Sequence, residues 1–246
     1  MTAFLSLELF HFVGHANPND HESNFLLLCR ILESGCISHP PHTNDMGTVS
    51  YTVDLNQMRN FEQLVVPTVT CFCDIPFDFL AIHTAKYGAF GLSLSRHHLT
   101  KCGARPVTYI PVRGDDLKNF RGGGTRLLSS LEASYRGLIH HILPVMDEDN
   151  EREVVPTEVP ATAEDAAYHL QRTMGLEVLA FIKPYNATLD ENNPCYYYAE
   201  REWRKFGNMR FEPRDVVHVV VHPDFFERAT AKLPTYAEKI RATPKL

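Results

Sequence analysis

The chain has 246 residues, of which 44% are hydrophobic and 22% are charged, a composition typical of a globular protein that buries a core. Its formal net charge of −6 provides no overall attraction to the phosphate backbone of DNA or RNA. No apolar run approaches the roughly 20 residues that a membrane-spanning helix requires, and the first residues lack the pattern of a signal peptide. We therefore expect a cytoplasmic protein with no membrane partner and no binding to nucleic-acid backbones.

The cysteines and histidines give little indication of a metal site. Six cysteines are scattered along the chain, and the one close pair, Cys71 and Cys73, has C-x-C spacing. A zinc site needs two further ligands at suitable spacing, which the sequence does not offer. Adjacent histidines such as His97 and His98 are poorly spaced to act as two ligands on one helix face. We expect small thiols in a reducing compartment and no bound metal.

Apolar runs separated by turn signals predict strands and helices in the first half of the chain. In chain order they are a strand over 7–13, a helix capped at Asn24 and ending at Ser34–Gly35, a strand region over 64–75 that Pro67 interrupts, a helix over 77–87 that Gly88 ends, and strands over 89–96 and 106–112. Asp74 is the expected N-cap of the second helix, because it directly precedes Ile75 and Pro76. The polar segment 38–60 is expected to be a mobile loop.

The second half of the chain continues with helices and then ends mainly in strands. The expected elements are a helix over 126–146, a mobile loop over 147–160, a helix over 163–173, a segment over 176–185 that ends in a strand, strands over 196–204 and 216–223, and short helices from Asp224 onward. Together the elements predict one α+β domain over residues 1–246. Its core is expected to be a predominantly antiparallel β-sheet, split into two small sheets with helices packed around them.

The segment YYYAEREWR, residues 196–204, has the most unusual side chains of any predicted strand. Alternation along a strand would place Glu200, Glu202 and Arg204 on one face, with Arg201 and Trp203 on the other. Two carboxylates and a guanidinium on one face form either a solvated ladder of charges or a site in a cleft. Because burying such charges costs free energy, we favour a site.

The order of three segments resembles the ADP-ribosyltransferase plan of PARP-like, RNA phosphotransferase-like and DarT-like enzymes. These segments are the strand LFHFVG with its following helix, the strand ending in CFCDI with its helix, and the Glu-Arg-Glu strand. The resemblance implies that His11 holds the nicotinamide ribose of NAD, the substrate. It also implies that Glu202 stabilises the positive charge that develops at the anomeric carbon, with Glu200 as the preceding member of an E-x-E pair.

The residue that faces the nicotinamide ring is less clearly marked in this plan. By position it falls on Phe72 or Cys73 in the second strand, or on Tyr87 after the helix. His83 lies one helical turn before Tyr87 and would share its face. Arg204 is expected to support the carboxylates of the site.

The whole chain also resembles the AbiGi-type abortive phage resistance proteins. The stretches that carry this resemblance are LFHFVG, ILESGCI, VTCFCDIPFDFLAIHTAKYGAFGLSLSR, RPVTYIPV, FIKPY and YYYAEREWR. The family is labelled as the antitoxin of a two-gene phage-exclusion system, which implies a cognate toxin or another defence protein as partner.

These resemblances lead to two hypotheses about function. The first is an NAD-dependent ADP-ribosyltransferase or NAD-hydrolysing enzyme of phage defence, for which a nucleic acid would be a modification target. The second is a non-catalytic antitoxin or regulatory subunit of an abortive-infection pair. They differ in geometry, because the enzyme requires His11 and Glu202 to face one concave pocket on the order of 10 Å apart or closer.

Overall fold

The computed structural model describes residues 6–38, 51–53, 65–112, 123–141, 159–190, 193 and 196–244. The chain divides into two compact units. The first, which we call the sheet unit, comprises Met1–Val49, Thr68–Val107 and Glu191–Leu246. The second, which we call the helical unit, comprises Ser50–Pro67 and Thr108–Asp190.

The strands of the described residues are short. In chain order they are β1 (Glu8–Phe12), β2 (Cys36–Ile37), β3 (Tyr51–Val53), β4 (Val65–Pro67), β5 (Val69–Cys73), β6 (Gly91–Ser95), β7 (Arg105–Pro106), β8 (Thr108–Val112), β9 (Ile182–Asn186), β10 (Glu202–Phe206), β11 (Met209–Arg210), β12 (Val216–Val221) and β13 (Ile240–Ala242).

The α-helices of the same residues are α1 (His21–Ser34), α2 (Leu80–Tyr87), α3 (Arg96–Lys101), α4 (Gly123–His141), α5 (Ala163–Arg172) and α6 (Phe226–Lys232). A π-helical turn covers Thr173–Val178. Short 3₁₀ turns cover Phe77–Phe79, Leu179–Phe181, Tyr197–Glu200, Pro223–Phe225 and Pro234–Lys239. No helix in the described part of the chain is long and apolar enough to cross a membrane.

Seven of the described strands form one sheet, in the order β13-β12-β6-β1-β5-β10-β7. Every neighbouring pair is antiparallel except β12 and β13, which confirms the expected mixed α and β fold with a mainly antiparallel sheet. The core was expected to be split into two small sheets, but these seven strands form one continuous sheet. The junction between β1 and β5 is nevertheless narrow, because Phe10 opposite Cys73 is its one paired position.

The register of the sheet decides which side chains share a face. Leu9 packs with the α1 residues Phe25 and Leu28, so this side of the sheet is called the α1 face. Phe10 packs instead with Leu80 of α2, so the other side is called the α2 face. Because neighbouring residues of a strand point to opposite faces, His11 belongs to the α1 face.

Helix α1 begins earlier than its sequence indicates. The carboxylate of Asp20 accepts the Ser23 N–H at 3.0 Å and caps the helix. Asn24, the expected cap, is buried in the first turn, where its side chain donates to the Asn17 carbonyl at 2.9 Å. The helix ends as predicted at Gly35, whose φ of 64° lies in the left-handed region that glycine tolerates best.

The helical unit has an apolar core of its own, built around Tyr135 of α4, which is fully buried. Gln171 of α5 donates a hydrogen bond to the Tyr135 hydroxyl at 3.2 Å, which satisfies the polar end of this side chain. Strands β8 and β9 pair in parallel in this unit. The segment 38–60 falls outside the described residues except at Ser38 and β3, and 147–160 does so except at its last two residues.

The end of β1 and the end of α2 meet at two glycines. The Gly14 N–H donates to the Tyr87 carbonyl at 2.8 Å. A Cβ added at Gly14 would lie 2.6 Å from that carbonyl oxygen and 2.8 Å from the Cα of Gly88. These are backbone atoms and cannot rotate away, so the approach of β1 to α2 requires glycine at position 14.

We expect Gly14→Ala to lower the free energy of unfolding by about 1–3 kcal/mol, because the added methyl group overpacks this contact. Urea unfolding followed by circular dichroism measures the change. Gly137→Ala is the control, since no atom lies within 4 Å of a Cβ added there. In the middle of α4 this change should stabilise by about 0.5–1 kcal/mol. Equal stability of Gly14→Ala and the wild type would contradict the close packing.

Candidate functional site

A group of charged side chains surrounds the start of β10 on the α2 face. Glu200 is buried and accepts two hydrogen bonds on the same oxygen, from Lys86 Nζ at 2.5 Å and from the Tyr87 hydroxyl at 2.5 Å. Glu202 is also buried, and its carboxylate is bound by the Arg204 guanidinium at 2.7 Å. We call these five residues the α2-face cluster.

The backbone at Arg201 explains how both carboxylates reach this cluster. Residues 197–200 form a 3₁₀ turn and not the expected strand, and Arg201 has a φ of 46° in the left-handed region. The strand begins only at Glu202. The strand predicted over Glu200 and Arg201 is therefore wrong, because the left-handed residue interrupts the pleat. Glu200 nevertheless shares the α2 face with Glu202 and Arg204, as expected.

Asp74 stabilises this unusual backbone conformation. Its N–H donates to the Arg201 carbonyl at 3.1 Å, and its buried carboxylate lies 3.4 Å from the Arg201 guanidinium. The other carboxylate oxygen accepts a bond from Arg96 at 2.8 Å. The prediction that Asp74 caps a helix is wrong, because two arginines and not helical N–H groups bind its carboxylate.

Within β10 the predicted alternation holds. Glu202 and Arg204 share the α2 face, and Trp203 points to the α1 face opposite Phe72. Trp203 is half-buried against the main core, with the Arg96 guanidinium 5.2 Å from its ring. The indole lies on the reverse face as expected, but it is only half-buried and not buried as predicted.

Aromatic rings pack beside the cluster on both sides of Tyr87. The ring centroid of His83 lies 4.4 Å from that of Tyr87, which confirms that the two residues share a helix face. The ring of His15 stacks at 5.4 Å, and Phe12 lies 5.2 Å from His83. Burial, and next to it the negative charge of Glu200, raises the pKa of the Tyr87 hydroxyl well above its usual range. The hydroxyl therefore remains a hydrogen-bond donor.

His11 lies apart from this cluster, on the opposite face of the sheet. Its Nδ1 donates to the Cys71 carbonyl at 2.8 Å, and its ring lies 5.8 Å from that of Phe72. Burial lowers the pKa of His11 despite the hydrogen bond, so the imidazole is neutral and Nε2 is an acceptor. The ring lines a pocket of about 280 Å³ together with α1 residues that include Arg30 and Ile31.

The prediction that His11 and Glu202 face one pocket is therefore wrong. Phe10, Cys73 and Glu202 are paired across three strands, so Glu202 shares the face of Phe10 and not that of His11. The candidate residues fall into two groups. Those on the α2 face are Tyr87, His83, Glu200, Glu202 and Arg204, and those on the α1 face are His11 and Phe72.

Lys86 is a member of the cluster that the sequence did not reveal. As a charged residue near the end of α2 it resembles a solvated lysine, and Glu200 lies 114 positions away in the chain. Its ammonium group also lies 4.5 Å from the centroid of the Tyr197 ring. No local pattern predicts this contact, because only folding brings the two segments together.

Residues 52–241 match the family model described as abortive phage resistance protein AbiGi, antitoxin. The chain belongs to this family. No curated protein and no solved structure matches the chain. The AbiGi match includes every residue of the α2-face cluster, whereas β1 with His11 lies before it.

The pH dependence of stability tests the role of Tyr87. A hydroxyl whose pKa is raised by folding contributes stability that is complete below the unfolded value, about pH 10, and is lost as the pH rises further. At pH 8, Tyr87→Phe should lower the free energy of unfolding by about 1–3 kcal/mol, because Glu200 loses a donor. Above about pH 10 the difference from the wild type should shrink.

Urea unfolding between pH 8 and pH 11 measures this difference. Tyr198→Phe is the control, since Tyr198 has a relative exposure of 49%. This variant should follow the wild type throughout. A difference between Tyr87→Phe and the wild type that stays constant across the whole range would contradict the assignment.

Proposed function

We propose that this AbiGi chain acts as the antitoxin of an abortive-infection pair and works by binding its cognate toxin. The family match supports the pairing with a toxin. The placement of His11 and Glu202 on opposite faces of the sheet is the observation that supports binding, and not catalysis, as the mode of action. In this arrangement the two groups do not act together on one ribose, so the first form of the NAD hypothesis loses its geometric basis.

The charges of the α2-face cluster agree with a binding protein. Each buried carboxylate already has a cationic partner, Lys86 for Glu200 and Arg204 for Glu202. A carboxylate that is neutralised by a neighbouring cation stabilises a developing positive charge less than an uncompensated one. Such pairs hold a fold together when the geometry is good, since removing one partner leaves a buried charge.

Growth experiments test the antitoxin role. The product of the neighbouring gene, expressed alone, should slow growth, and co-expression of this chain should restore growth and allow the two proteins to be purified together. Glu202→Gln should leave the rescue intact, because no chemistry at this carboxylate is required. The proposal is wrong if this chain is toxic when expressed alone and Glu202→Gln or Glu200→Gln removes that toxicity.

A second candidate function retains NAD chemistry but moves the catalytic carboxylate from Glu202 to Glu200. The observation that favours it is the convergence of Lys86 and Tyr87 on the Glu200 carboxylate. When NAD binds, the Lys86 ammonium group would exchange Glu200 for the pyrophosphate. The released carboxylate would then stabilise the positive charge at the anomeric carbon, with Tyr87 beside the nicotinamide.

Nicotinamide release from NAD distinguishes this candidate from the antitoxin. With the partner protein present, the wild type should release nicotinamide, and Glu200→Gln should reduce the rate by about 100-fold or more. Glu202→Gln is the matched control and should retain most of the rate. Thermal shift with NAD should give a higher midpoint for the wild type, since a ligand of the native state stabilises it. Equal losses in both variants, or no release by the wild type, would rule the candidate out.

A further inference from the structure

A thiol and an imidazole lie one turn apart on α3. Ser95 caps this helix by accepting the His98 N–H at 3.2 Å, which fixes where the helix begins. Cys102 follows four residues after His98, at the C-cap. Its Sγ lies 3.8 Å from His98 Nε2, within reach of a sulfur hydrogen bond. Residues four apart on a helix share a face, so the contact follows from the local fold.

The other nitrogen of the same imidazole faces a carboxylate from a distant loop. His98 Nδ1 lies 3.4 Å from Asp215 Oδ1. The second oxygen of Asp215 accepts the Glu212 N–H at 2.8 Å, which fixes the orientation of the carboxylate. The imidazole thus lies between the thiol and the carboxylate, and the three groups do not converge on one point as metal ligands would.

A buried ammonium group belongs to the electrostatic surroundings of Cys102. Burial lowers the pKa of Lys205, and the charges of this thiol and of the Cys36 thiol oppose that lowering. A nearby ammonium group stabilises a thiolate.

A pocket of about 620 Å³ adjoins two of these three side chains. His98 and Asp215 line it, together with Arg210 and Arg214. Arg214 pairs with Glu212, which also lines the pocket, at 3.0 Å, and both side chains are largely exposed. The pocket is large enough for a small organic substrate.

We propose that Cys102, His98 and Asp215 form a second site, a nucleophilic thiol that cleaves small acyl esters or amides. This site goes beyond antitoxin binding and does not depend on it. The arrangement is the one expected of an activated nucleophile, in which a base contacts the nucleophile and a third group orients the base. Cys102 is the nucleophile, His98 the general base, and Asp215 a positioning residue.

The chemical step balances within these groups and water. His98 Nε2 takes the proton of the thiol, and Sγ attacks the acyl carbon to form a thioester. The bond to the alcohol or amine breaks, and this leaving group takes the proton back from the imidazolium. Water then attacks the thioester with His98 again as base, which releases the acid and restores the Cys102 thiol.

Alkylation by iodoacetamide at pH 6, with each cysteine followed by peptide mass spectrometry, tests the activation of the thiol. Cys71 is the internal control, because its side chain is exposed on β5. Although Cys102 is half-buried, it should react about tenfold faster than Cys71. His98→Gln should remove this advantage and leave the Cys71 rate unchanged. Asp215→Asn should shift the pH profile of Cys102 alone.

The hydrolytic step is tested with p-nitrophenyl acetate. The wild type should release about one equivalent of nitrophenolate in a burst and carry acetyl on Cys102, whereas Cys102→Ser should show neither. The thermal midpoint of each variant reports whether it folds. If His98→Gln does not fold, the comparison of Cys102 with Cys71 in the wild type still decides. The proposal is overturned if Cys102 reacts no faster than Cys71, or if no acetyl-Cys102 forms.

Discussion

The pairing of Phe10 with Cys73 joins the two halves of the sheet, one of which contains β1 and β6 and the other β5 and β10. Because each strand alternates its side chains, this pairing fixes the facing of every neighbouring residue in both strands. It places His11 on the α1 face and Glu202 on the α2 face. A shift of one residue would reverse the facing along the shifted strand, so the α2-face cluster depends on this register.

The buried residue Asp74 provides a second constraint, because it stabilises the backbone conformation at Arg201. A left-handed residue other than glycine costs on the order of 1–2 kcal/mol, and Arg201 occupies such a conformation. The bonds from Asp74 to the backbone and the side chain of Arg201 offset this cost. As a result Glu200 leaves the line of the strand and meets Lys86 and Tyr87. The electrostatics of the cluster are thus set by a residue outside it.

The sequence predicted most elements of the fold because their signals are local. The apolar run before Gly35 and the β-branched run of β12 identify a helix and a strand without knowledge of their neighbours. Register is not local, which is why the facing of His11 relative to Glu202 could not be predicted. The left-handed Arg201 had no signal either, since arginine has no preference for that conformation.

The same difference between local and non-local signals applies to the contacts in the candidate sites. The pairing of Lys86 with Glu200 spans 114 positions and leaves no trace in the local pattern. The spacing of His98 and Cys102, by contrast, is visible in the sequence as one helical turn. The contribution of Asp215 required the structure, since it comes from a separate loop.

The narrow junction between β1 and β5 also bears on how the sheet assembles. β1 pairs with β6 over five positions and β5 with β10 over five, so each half holds most of its own hydrogen bonds. The strands of the first pair are separated by about 80 residues and those of the second by about 130, and closing the longer loop costs somewhat more chain entropy. The backbone hydrogen bonds of the sheet are therefore concentrated within the two pairs, and separation of the halves at the β1–β5 junction would break the fewest of them.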